Sequence, residues 1–321
     1  MMNDCRDYAY QSETLSCWTH GEWIHSNSSQ HFISYNLTKT SPCEYRLGSA
    51  AFYSSLKWFW VPSKTCDYTI PDRLSFCSVL NRRNILIVGD SLNFQFAETI
   101  NYFVGDGQTV DQWSTKPVSI CSGEASLLFI RNDHLTLQEK DVDPKKTWHH
   151  DKKNNLILNP WIHYLIDSPG KFPVVILNRG AHYVESDILL NDLKKLEILF
   201  KNETIREKTL FLYRNTVSGH GECNKYLSPG ISSVTEDDVR NNWVKFAAQN
   251  ALVKSYLDSL SVVTIDANAT SYYRPDSHVA GRHEDCLHYC MPGPVDTWVI
   301  FLFNILRLLF LKPHRSSIPC P

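Results

Sequence analysis

Short apolar runs recur along the chain and predict buried strands. The first run, Ile85–Val88, is rich in β-branched residues and is bounded by polar residues and a glycine. Comparable runs follow at Leu127–Arg131, Val174–Asn178, Leu210–Arg214 and Val262–Asp266. Runs of this kind are typical of parallel strands that are buried on both faces of a sheet.

Between these runs the apolar residues change to a helical spacing. Leu92, Phe96, Ile100 and Phe103 recur every three or four residues, as on one face of a helix. We predict helices over Leu92–Phe103, Ile188–Phe200, Glu236–Leu260 and Val295–Leu311. Strands that alternate with helices predict an α/β fold with a mostly parallel sheet. Polar residues that follow the strands should then meet at one edge of that sheet.

The first 80 residues follow neither pattern. They contain five of the ten cysteines and several tryptophans. We predict an irregular Cys- and Trp-rich region over residues 1–80, packed on a catalytic domain over residues 81–321. Trp58 and Trp60 alternate on a strand-like stretch, and we expect them to pack on the core rather than to stack on a sugar.

Ser91 lies where the first predicted strand gives way to the first predicted helix. Gly89 permits a tight turn there, and Asp90 and Ser91 are favourable residues at a helix start. A serine at this place exposes its hydroxyl above the sheet and can direct its backbone N–H toward an oxyanion. The alternative is that Gly89-Asp90-Ser91 only caps the helix.

Asp285 and His288 supply an acid and a base near the end of the chain. Their spacing of three residues puts both on one side of a turn or helix. The carboxylate can then accept from one imidazole nitrogen and leave the other nitrogen for the serine. A single D-x-x-H pattern is common on protein surfaces, so it gains meaning only together with Ser91.

Several segments together resemble the plant trichome-birefringence-like proteins and the wider PC-esterase group of the SGNH/GDSL superfamily. Gly89-Asp90-Ser91-Leu92 resembles the nucleophile motif. Asp285-Cys-Leu-His-Tyr-Cys-Met-Pro-Gly-Pro-Val-Asp-Thr-Trp298 resembles the signature D-C-x-H-W-C-L-P-G-x-x-D-x-W, and Arg274-Pro-Asp-Ser-His278 resembles the R-x-D-x-H segment. Cys17–Trp23 and Trp58–Cys66 resemble the Cys- and Trp-rich N-terminal region of the family's proteins, so the resemblance extends over residues 17–311.

The resemblance implies a fold, an activity and a set of site residues. The fold is a flavodoxin-like three-layer α/β/α sandwich of the SGNH-hydrolase type. Members are polysaccharide O-acetyltransferases or acyl esterases of the Golgi lumen or the cell exterior. The triad would be Ser91, His288 and Asp285, and the oxyanion or substrate site would contain Gly89, Asp90, Asn178 and Gly180. No bound cofactor or metal is expected; an acyl donor such as acetyl-CoA would be a co-substrate, and a polysaccharide or oligosaccharide the partner.

The chain departs from the plant pattern beside the nucleophile. Plant members have Arg-Asn-Gln where this chain has Phe94-Gln95-Phe96, so a cationic residue is missing. Arg179, within the segment that matches the plant N-T-G-H, could replace that charge or be a solvated loop residue. The departure leaves the choice between transferase and esterase open.

Charge and cysteine content restrict the partners and the compartment. A net charge of −2 argues against nucleic acid, and the lack of any C-x-x-C pair argues against structural zinc. The ten cysteines, with sequons at Asn27, Asn36, Asn202 and Asn268, indicate a disulfide-bonded protein of the secretory pathway. No signal peptide or membrane anchor is recognisable. We interpret the apolar run Trp298–Leu311, which is short for a bilayer, as a buried helix.

Three functions remain. The leading hypothesis is O-acetyl transfer to a glycan hydroxyl through an acyl-serine intermediate. An acyl esterase would use the same triad with water as the acceptor. The third is an inactive lumenal glycan-binding protein, against which the presence of Ser91, Asp285 and His288 argues.

Overall fold

The computed structural model describes residues 13–26, 57–63, 66–137, 150–151, 155–279 and 285–311. The chain divides into two compact units. The terminal unit comprises residues 1–80, 217–244 and 266–321, and the sheet unit comprises residues 81–216 and 245–265. Residue 80 ends the first segment of the terminal unit, and the division into an N-terminal region over residues 1–80 and a catalytic domain over residues 81–321 stays a prediction.

A six-stranded sheet forms the centre of the sheet unit. The strands of the described residues are β1 Gly21–His25, β2 Trp58–Pro62, β3 Ile85–Gly89, β4 Val118–Ile120, β5 Ala125–Arg131, β6 His150–Asp151, β7 Leu156–Ile157, β8 Val174–Leu177, β9 Leu210–Arg214 and β10 Val263–Ile265. The sheet order is β10-β9-β8-β3-β5-β4. Its first five strands are parallel, and β4 is an antiparallel edge. If the five parallel strands are numbered by their position in the chain, they lie across the sheet, from β5 to β10, in the order 2-1-3-4-5 of flavodoxin-like folds.

Helices cover both faces of this sheet. Leu86 of β3 faces one side and shares a hydrophobic core with Leu193 and Val253 of two helices. On the opposite side, Phe129 of β5 packs against Phe94 of the helix that follows β3, with ring centroids 5.3 Å apart. The predicted α/β class and its three-layer sandwich are confirmed.

Two of the four predicted helices, Leu92–Phe103 and Val295–Leu311, are present within one residue of their predicted ends, two are interrupted, and several short helices were not predicted. The helices of the described residues are residues 13–19, Arg73–Leu80, Ser91–Val104, His163–Ile166, Ser186–Lys195, Glu197–Phe200, Glu203–Arg206, Glu236–Arg240, Phe246–Asp258, Ala267–Ser271 and Pro294–Leu311, with 3-10 turns at Cys223–Lys225, Trp243–Lys245 and Pro275–Ser277. The single helix predicted over Glu236–Leu260 is wrong. It is interrupted because Asn242 takes a left-handed φ of 60°, which a helix does not accommodate. The helix predicted over Ile188–Phe200 is divided at Leu196.

The terminal unit contains an antiparallel pair, β1 and β2, in which Trp23 lies opposite Trp60. Trp60 is 3% exposed, and its indole N–H donates to the carbonyl oxygen of Trp18 at 2.8 Å. The expectation that Trp58 and Trp60 pack on the core is confirmed for Trp60, whereas Trp58 is half-buried and contacts the ring of His25 with centroids 5.1 Å apart.

The last helix, Pro294–Leu311, also belongs to the terminal unit. It packs against the helices Arg73–Leu80 and Ala267–Ser271, with the rings of Phe76 and Phe303 stacked at 6.1 Å. Among the described residues, this helix has the length and apolar character to cross a membrane, but 67% of it is buried within the protein. Its burial agrees with a core helix, as predicted.

Candidate active site

The turn between β3 and the next helix presents Ser91. Gly89 ends β3 with a φ of +155°, and a Cβ there would lie 2.7 Å from Nδ2 of Asn93 and 3.0 Å from the carbonyl oxygen of Asn178. Conformation and close approach both require glycine. Ser91 is the first residue of the helix Ser91–Val104 and is half-buried.

Asp90 caps this helix. Its Oδ1 accepts from the backbone N–H groups of Leu92 at 2.9 Å and Asn93 at 3.3 Å. Its Oδ2 accepts from the N–H of Ala181 at 3.4 Å, and the carboxylate is fully buried. The side chain that satisfies the first N–H groups of the helix is thus that of Asp90, one residue before Ser91.

A buried arginine supports the turn from the end of β9. Nε of Arg214 donates to Oδ1 of Asn93 at 2.6 Å, and Nη1 donates to the carbonyl oxygen of Asn215 at 2.8 Å. Nη2 lies 3.5 Å from Oδ1 of Asp90, and neither side chain of this ion pair is exposed. Asn93 in turn donates from Nδ2 to the carbonyl oxygen of Val88 at 2.9 Å. These bonds connect β3, the start of the helix and β9.

The loop after β8 lies beside the same turn, since its Ala181 contacts Asp90. Nδ2 of Asn178 donates to the carbonyl oxygen of Arg214 at 2.9 Å, and Oδ1 of Asn178 is buried without a partner among the described residues. A Cβ on Gly180 would collide with the side chain of Thr216. Within the described part of the chain, no hydrogen bond is found for the N–H of Gly180. This N–H is a candidate oxyanion donor.

Arg179 is buried rather than solvated. Its side chain is 1% exposed, and Nη2 donates to Oδ2 of Asp192 at 3.0 Å. Nη1 donates to the carbonyl oxygen of His182 at 3.2 Å. The interpretation of Arg179 as a solvated loop residue is wrong, because Asp192 on a neighbouring helix provides an ion pair. The cation that contacts Asp90 is Arg214.

Asp285 and His288 form a hydrogen-bonded pair in the terminal unit. Nδ1 of His288 lies 2.9 Å from Oδ2 and 3.1 Å from Oδ1 of Asp285. The carboxylate also accepts from the backbone N–H groups of His288 at 3.0 Å and Leu287 at 3.2 Å. The contact that the spacing predicts is present, and it directs Nε2 of His288 away from the acid.

The surroundings of Asp285 favour its ionised form. Partial burial alone would raise the pKa of this carboxyl. The hydrogen bond and charge of His288, together with the two backbone N–H groups, outweigh burial and lower the pKa of Asp285 well below its ordinary value. Asp285 is therefore an anion over the whole neutral range and can stabilise an imidazolium.

The predicted site residues fall into two groups. One group lies at the carboxyl ends of β3 and β8 in the sheet unit: Gly89, Asp90, Ser91, Asn178 and Gly180. The other group lies in the terminal unit: Asp285 and His288. The assembly of the two groups into one triad stays a prediction.

Sequence reasoning missed two supports of the serine turn, Asn93 and Arg214. Arg214 is the last residue of the predicted strand Leu210–Arg214, and the sequence pattern predicts no partner for it. An arginine that ends a buried strand is itself a signal, because buried arginines are rare unless they are paired. Its partners could not be identified, since Asn93 and Asp90 are more than a hundred positions away.

All described cysteines are disulfide-bonded. Cys17 pairs with Cys66, and Cys223 pairs with Cys286. Such extensive pairing indicates an oxidising compartment of the secretory pathway. Three further cysteines (Cys5, Cys43 and Cys320) and two predicted sequons (Asn27 and Asn36) lie outside the described residues. Within the described ranges, no group of three or more His, Cys, Asp or Glu residues could hold a metal ion.

Comparison with known proteins identifies relatives. Residues 211–305 match the family model of PC-Esterase, described as a GDSL/SGNH-like acyl-esterase family found in Pmr5 and Cas1p. The chain is 24% identical to protein trichome birefringence-like 36 of Arabidopsis thaliana, over 78% of this chain and 75% of that protein. It is 21% identical to xylan O-acetyltransferase 6 of Oryza sativa subsp. japonica, over 88% of this chain and 61% of that protein. The resemblance to the trichome-birefringence-like and PC-esterase proteins is confirmed.

Solved structures with a similar chain path include a GDSL-like lipase from Bacteroides thetaiotaomicron, with a TM-score of 0.39 and 9% identity over 75% of this chain and 93% of that chain. A lipase/acylhydrolase from Enterococcus faecalis aligns with a TM-score of 0.37 and 14% identity, over 73% of this chain and all of that chain.

Proposed function

We propose that this protein is an O-acyltransferase that moves an acyl group, in the simplest case acetyl, to a hydroxyl of a polysaccharide or oligosaccharide. The observation that carries the proposal is the Asp285–His288 pair. Its ionised carboxylate is held against Nδ1, which leaves Nε2 as the nitrogen for proton transfer. The names of the xylan and xyloglucan O-acetyltransferases among the relatives support an acetyl group and a glycan acceptor.

In the proposed first step Ser91 attacks the acyl donor. Its hydroxyl proton passes to Nε2 of His288 while the bond from Oγ to the acyl carbon forms, and Asp285 stabilises the imidazolium. The tetrahedral intermediate then expels the leaving group of the donor, which takes up the proton. We assign the N–H of Gly180 as an oxyanion donor. Nδ2 of Asn178 is the alternative, and it would have to exchange its contact with Oγ1 of Thr216 at 3.5 Å for the oxyanion.

In the second step a glycan hydroxyl attacks the acyl-serine. Its proton passes to His288, and the acyl carbon leaves Oγ of Ser91, which recovers a proton from His288. Water in place of the hydroxyl would make the same site an esterase. This second candidate is supported by the acyl-esterase description of the family. The disulfides and the relatives together support the Golgi lumen or the cell exterior as the place of action.

The test is an assay of purified, disulfide-bonded protein with acetyl-CoA or a small acetyl ester and a panel of oligosaccharides, scored by mass for gain or loss of one acetyl group. Ser91→Ala should lower the rate by about 10⁴ or more. The matched control is Ser186→Ala, because Ser186 also begins a helix of the sheet unit and is half-buried. Near-normal turnover in Ser91→Ala would exclude Ser91 as the nucleophile.

A double variant tests whether Ser91 and His288 act together. Residues of one catalytic unit are strongly non-additive. Ser91→Ala with His288→Gln should therefore be no slower than Ser91→Ala alone. If the two losses multiply instead, the residues act independently and the proposed triad is wrong.

A further inference from the structure

Two buried histidines lie beside His288 in the terminal unit. Nδ1 of His220 lies 2.7 Å from Nε2 of His278, and the two residues are 2% and 0% exposed. The other nitrogen of His220 lies 2.8 Å from the carbonyl oxygen of Tyr272. The other nitrogen of His278 lies 3.1 Å from the carbonyl oxygen of His288. All four ring nitrogens therefore have a partner at hydrogen-bond distance.

The number of protons in this chain of contacts follows from the chemistry of its members. A carbonyl oxygen only accepts, so Nε2 of His220 and Nδ1 of His278 must each carry a proton. The contact between the two rings requires one more proton. Two neutral imidazoles carry two protons between them, so the complete chain needs three and bears one positive charge.

We propose that His220 and His278 share one excess proton, and that this charged pair positions His288 by holding its main-chain carbonyl. His220 and His278 are positioning residues, since they act on His288 and not on a substrate. The consequence for catalysis rests on the proposed function of His288, whereas the proton sharing and its effect on the turn do not.

His278 is joined to the turn on more than one side. Its ring stacks on that of Tyr289 with centroids 4.3 Å apart. The N–H of Cys290 donates to the carbonyl oxygen of Ser277 at 2.7 Å, and the N–H of Val279 donates to the carbonyl oxygen of His288 at 2.9 Å. A change in His278 is therefore transmitted directly to the backbone of His288 and of the two residues that follow it.

Two buried carboxylates face the pair. Asp276 is already paired with Arg274 at 2.9 Å. Asp238 is 6% exposed, and its described hydrogen bonds come from neutral groups, among them the N–H and the hydroxyl of Thr235. A positive charge on the histidine pair offsets the negative charge of Asp238. This carboxylate lies near His220, because its Oδ1 accepts from the N–H of the next residue, Gly221, at 2.8 Å.

The charge should respond to pH. Burial lowers the pKa of His220, while the carbonyl of Tyr272 and the charges of Asp238 and Asp276 act in the opposite direction. The excess proton is thus bound in mild acid and is lost, as the pH rises, before an exposed histidine loses its proton. When the excess proton is lost, the carbonyl oxygen of His288 still accepts from the N–H of Val279. The hydrogen bond from Nδ1 of His278 to this carbonyl is therefore the contact that breaks.

Two substitutions separate the contacts. An asparagine at position 220 places an amide N–H near the former Nδ1, where it can donate to Nε2 of His278. His278 then stays neutral and keeps its Nδ1 proton for His288. His278→Gln retains a polar group near Nε2 but removes the donor to His288. The control is His20→Asn, because His20 is an exposed histidine that contacts a backbone carbonyl.

The measurement is hydrogen exchange by mass spectrometry in peptides that cover residues 285–290, corrected for the intrinsic effect of pH. As the pH rises toward about 6.5, the ordinary pKa of an exposed histidine, protection in the unsubstituted protein should fall by about fivefold, the factor for one hydrogen bond of ordinary net strength. His220→Asn should keep high protection without a pH step, and His278→Gln should show low protection throughout. His20→Asn should behave as the unsubstituted protein.

Exchange in the helix Pro294–Leu311, which belongs to the same unit, shows that each variant is folded. A pH step of equal size in the unsubstituted protein and in His220→Asn would overturn the proposal, and so would a flat profile in the unsubstituted protein. Because this readout needs no acyl transfer, its failure is distinct from a failure of the Ser91→Ala assay. If both proposals hold, the pH profile of acetyl transfer should lose the same step in His220→Asn.

Discussion

Replacement of Arg214 by glutamine should reveal what holds the serine turn. The substitution removes the donors to Asn93 and Asn215 and leaves the carboxylate of Asp90 buried without its cation. Both members of this ion pair are 0% exposed. Loss of one partner of a fully buried pair costs about 3–5 kcal/mol. We expect the lower half of that range, because Asp90 keeps its backbone donors at the helix start.

A double-mutant cycle isolates the ion pair. Asp90→Asn retains a good capping residue but removes the charge, so it leaves Arg214 as the unpaired ion. The variant with both substitutions has no unpaired charge. Its loss of unfolding free energy should fall short of the sum of the two single losses by about 1–3 kcal/mol.

The measurement is equilibrium unfolding in guanidinium chloride, followed by circular dichroism. Arg179→Gln is the matched control, because Arg179 is an equally buried arginine of the same unit. Its partner Asp192 is 21% exposed and keeps Lys195 at 2.7 Å, so this variant should lose less stability than Arg214→Gln. Equal losses in the two arginine variants, or additive losses in the cycle, would refute the assignment of Arg214 as the support of the turn.

Further predictions concern a glycine, a disulfide and an acid. Gly180→Ala should lower the free energy of unfolding by about 1–3 kcal/mol through a clash with a threonine side chain, whereas Gly230→Ala, which meets no atom within 4 Å, should change it little. Replacing Cys223 and Cys286 by alanine removes a disulfide between residues 63 positions apart. In thermal unfolding, the free energy of unfolding should fall by about 4 kcal/mol. Because the pKa of Asp285 is lowered, its stabilising contacts should be complete above about pH 4 and be lost only in stronger acid. The stability difference between the unsubstituted protein and Asp285→Asn should therefore persist down to about that pH and decline only below it.

The apolar pattern predicted the sheet well because its strands are buried on both faces. Each of the five parallel strands was placed within two residues of its observed ends, and Leu210–Arg214 was placed without error. The edge strand Val118–Ile120 was not predicted, because three residues are too few to show a repeat of apolar positions. The β1 strand escaped because its glycine, glutamate and histidine are not typical strand residues.

The supports of the site could not be predicted, because they are contacts between distant parts of the chain. His220 and His278 are 58 residues apart, and Arg214 is 121 residues from Asn93. A local pattern shows that a histidine or an arginine is present, but not that its nitrogen meets a second ring or a buried amide. The Asp285–His288 contact and the cap by Asp90 are local, and the sequence did predict both.

The serine turn shows how a capping motif and a nucleophile motif can coincide. The sequence alone presented them as alternatives. In the structure the carboxylate of Asp90 accepts from the N–H groups of Leu92 and Asn93, so the cap is formed by the residue before Ser91. The capping interpretation thus accounts for the aspartate. A serine at this first helical position is compatible with nucleophilic chemistry, and the Ser91→Ala assay decides whether the protein uses it.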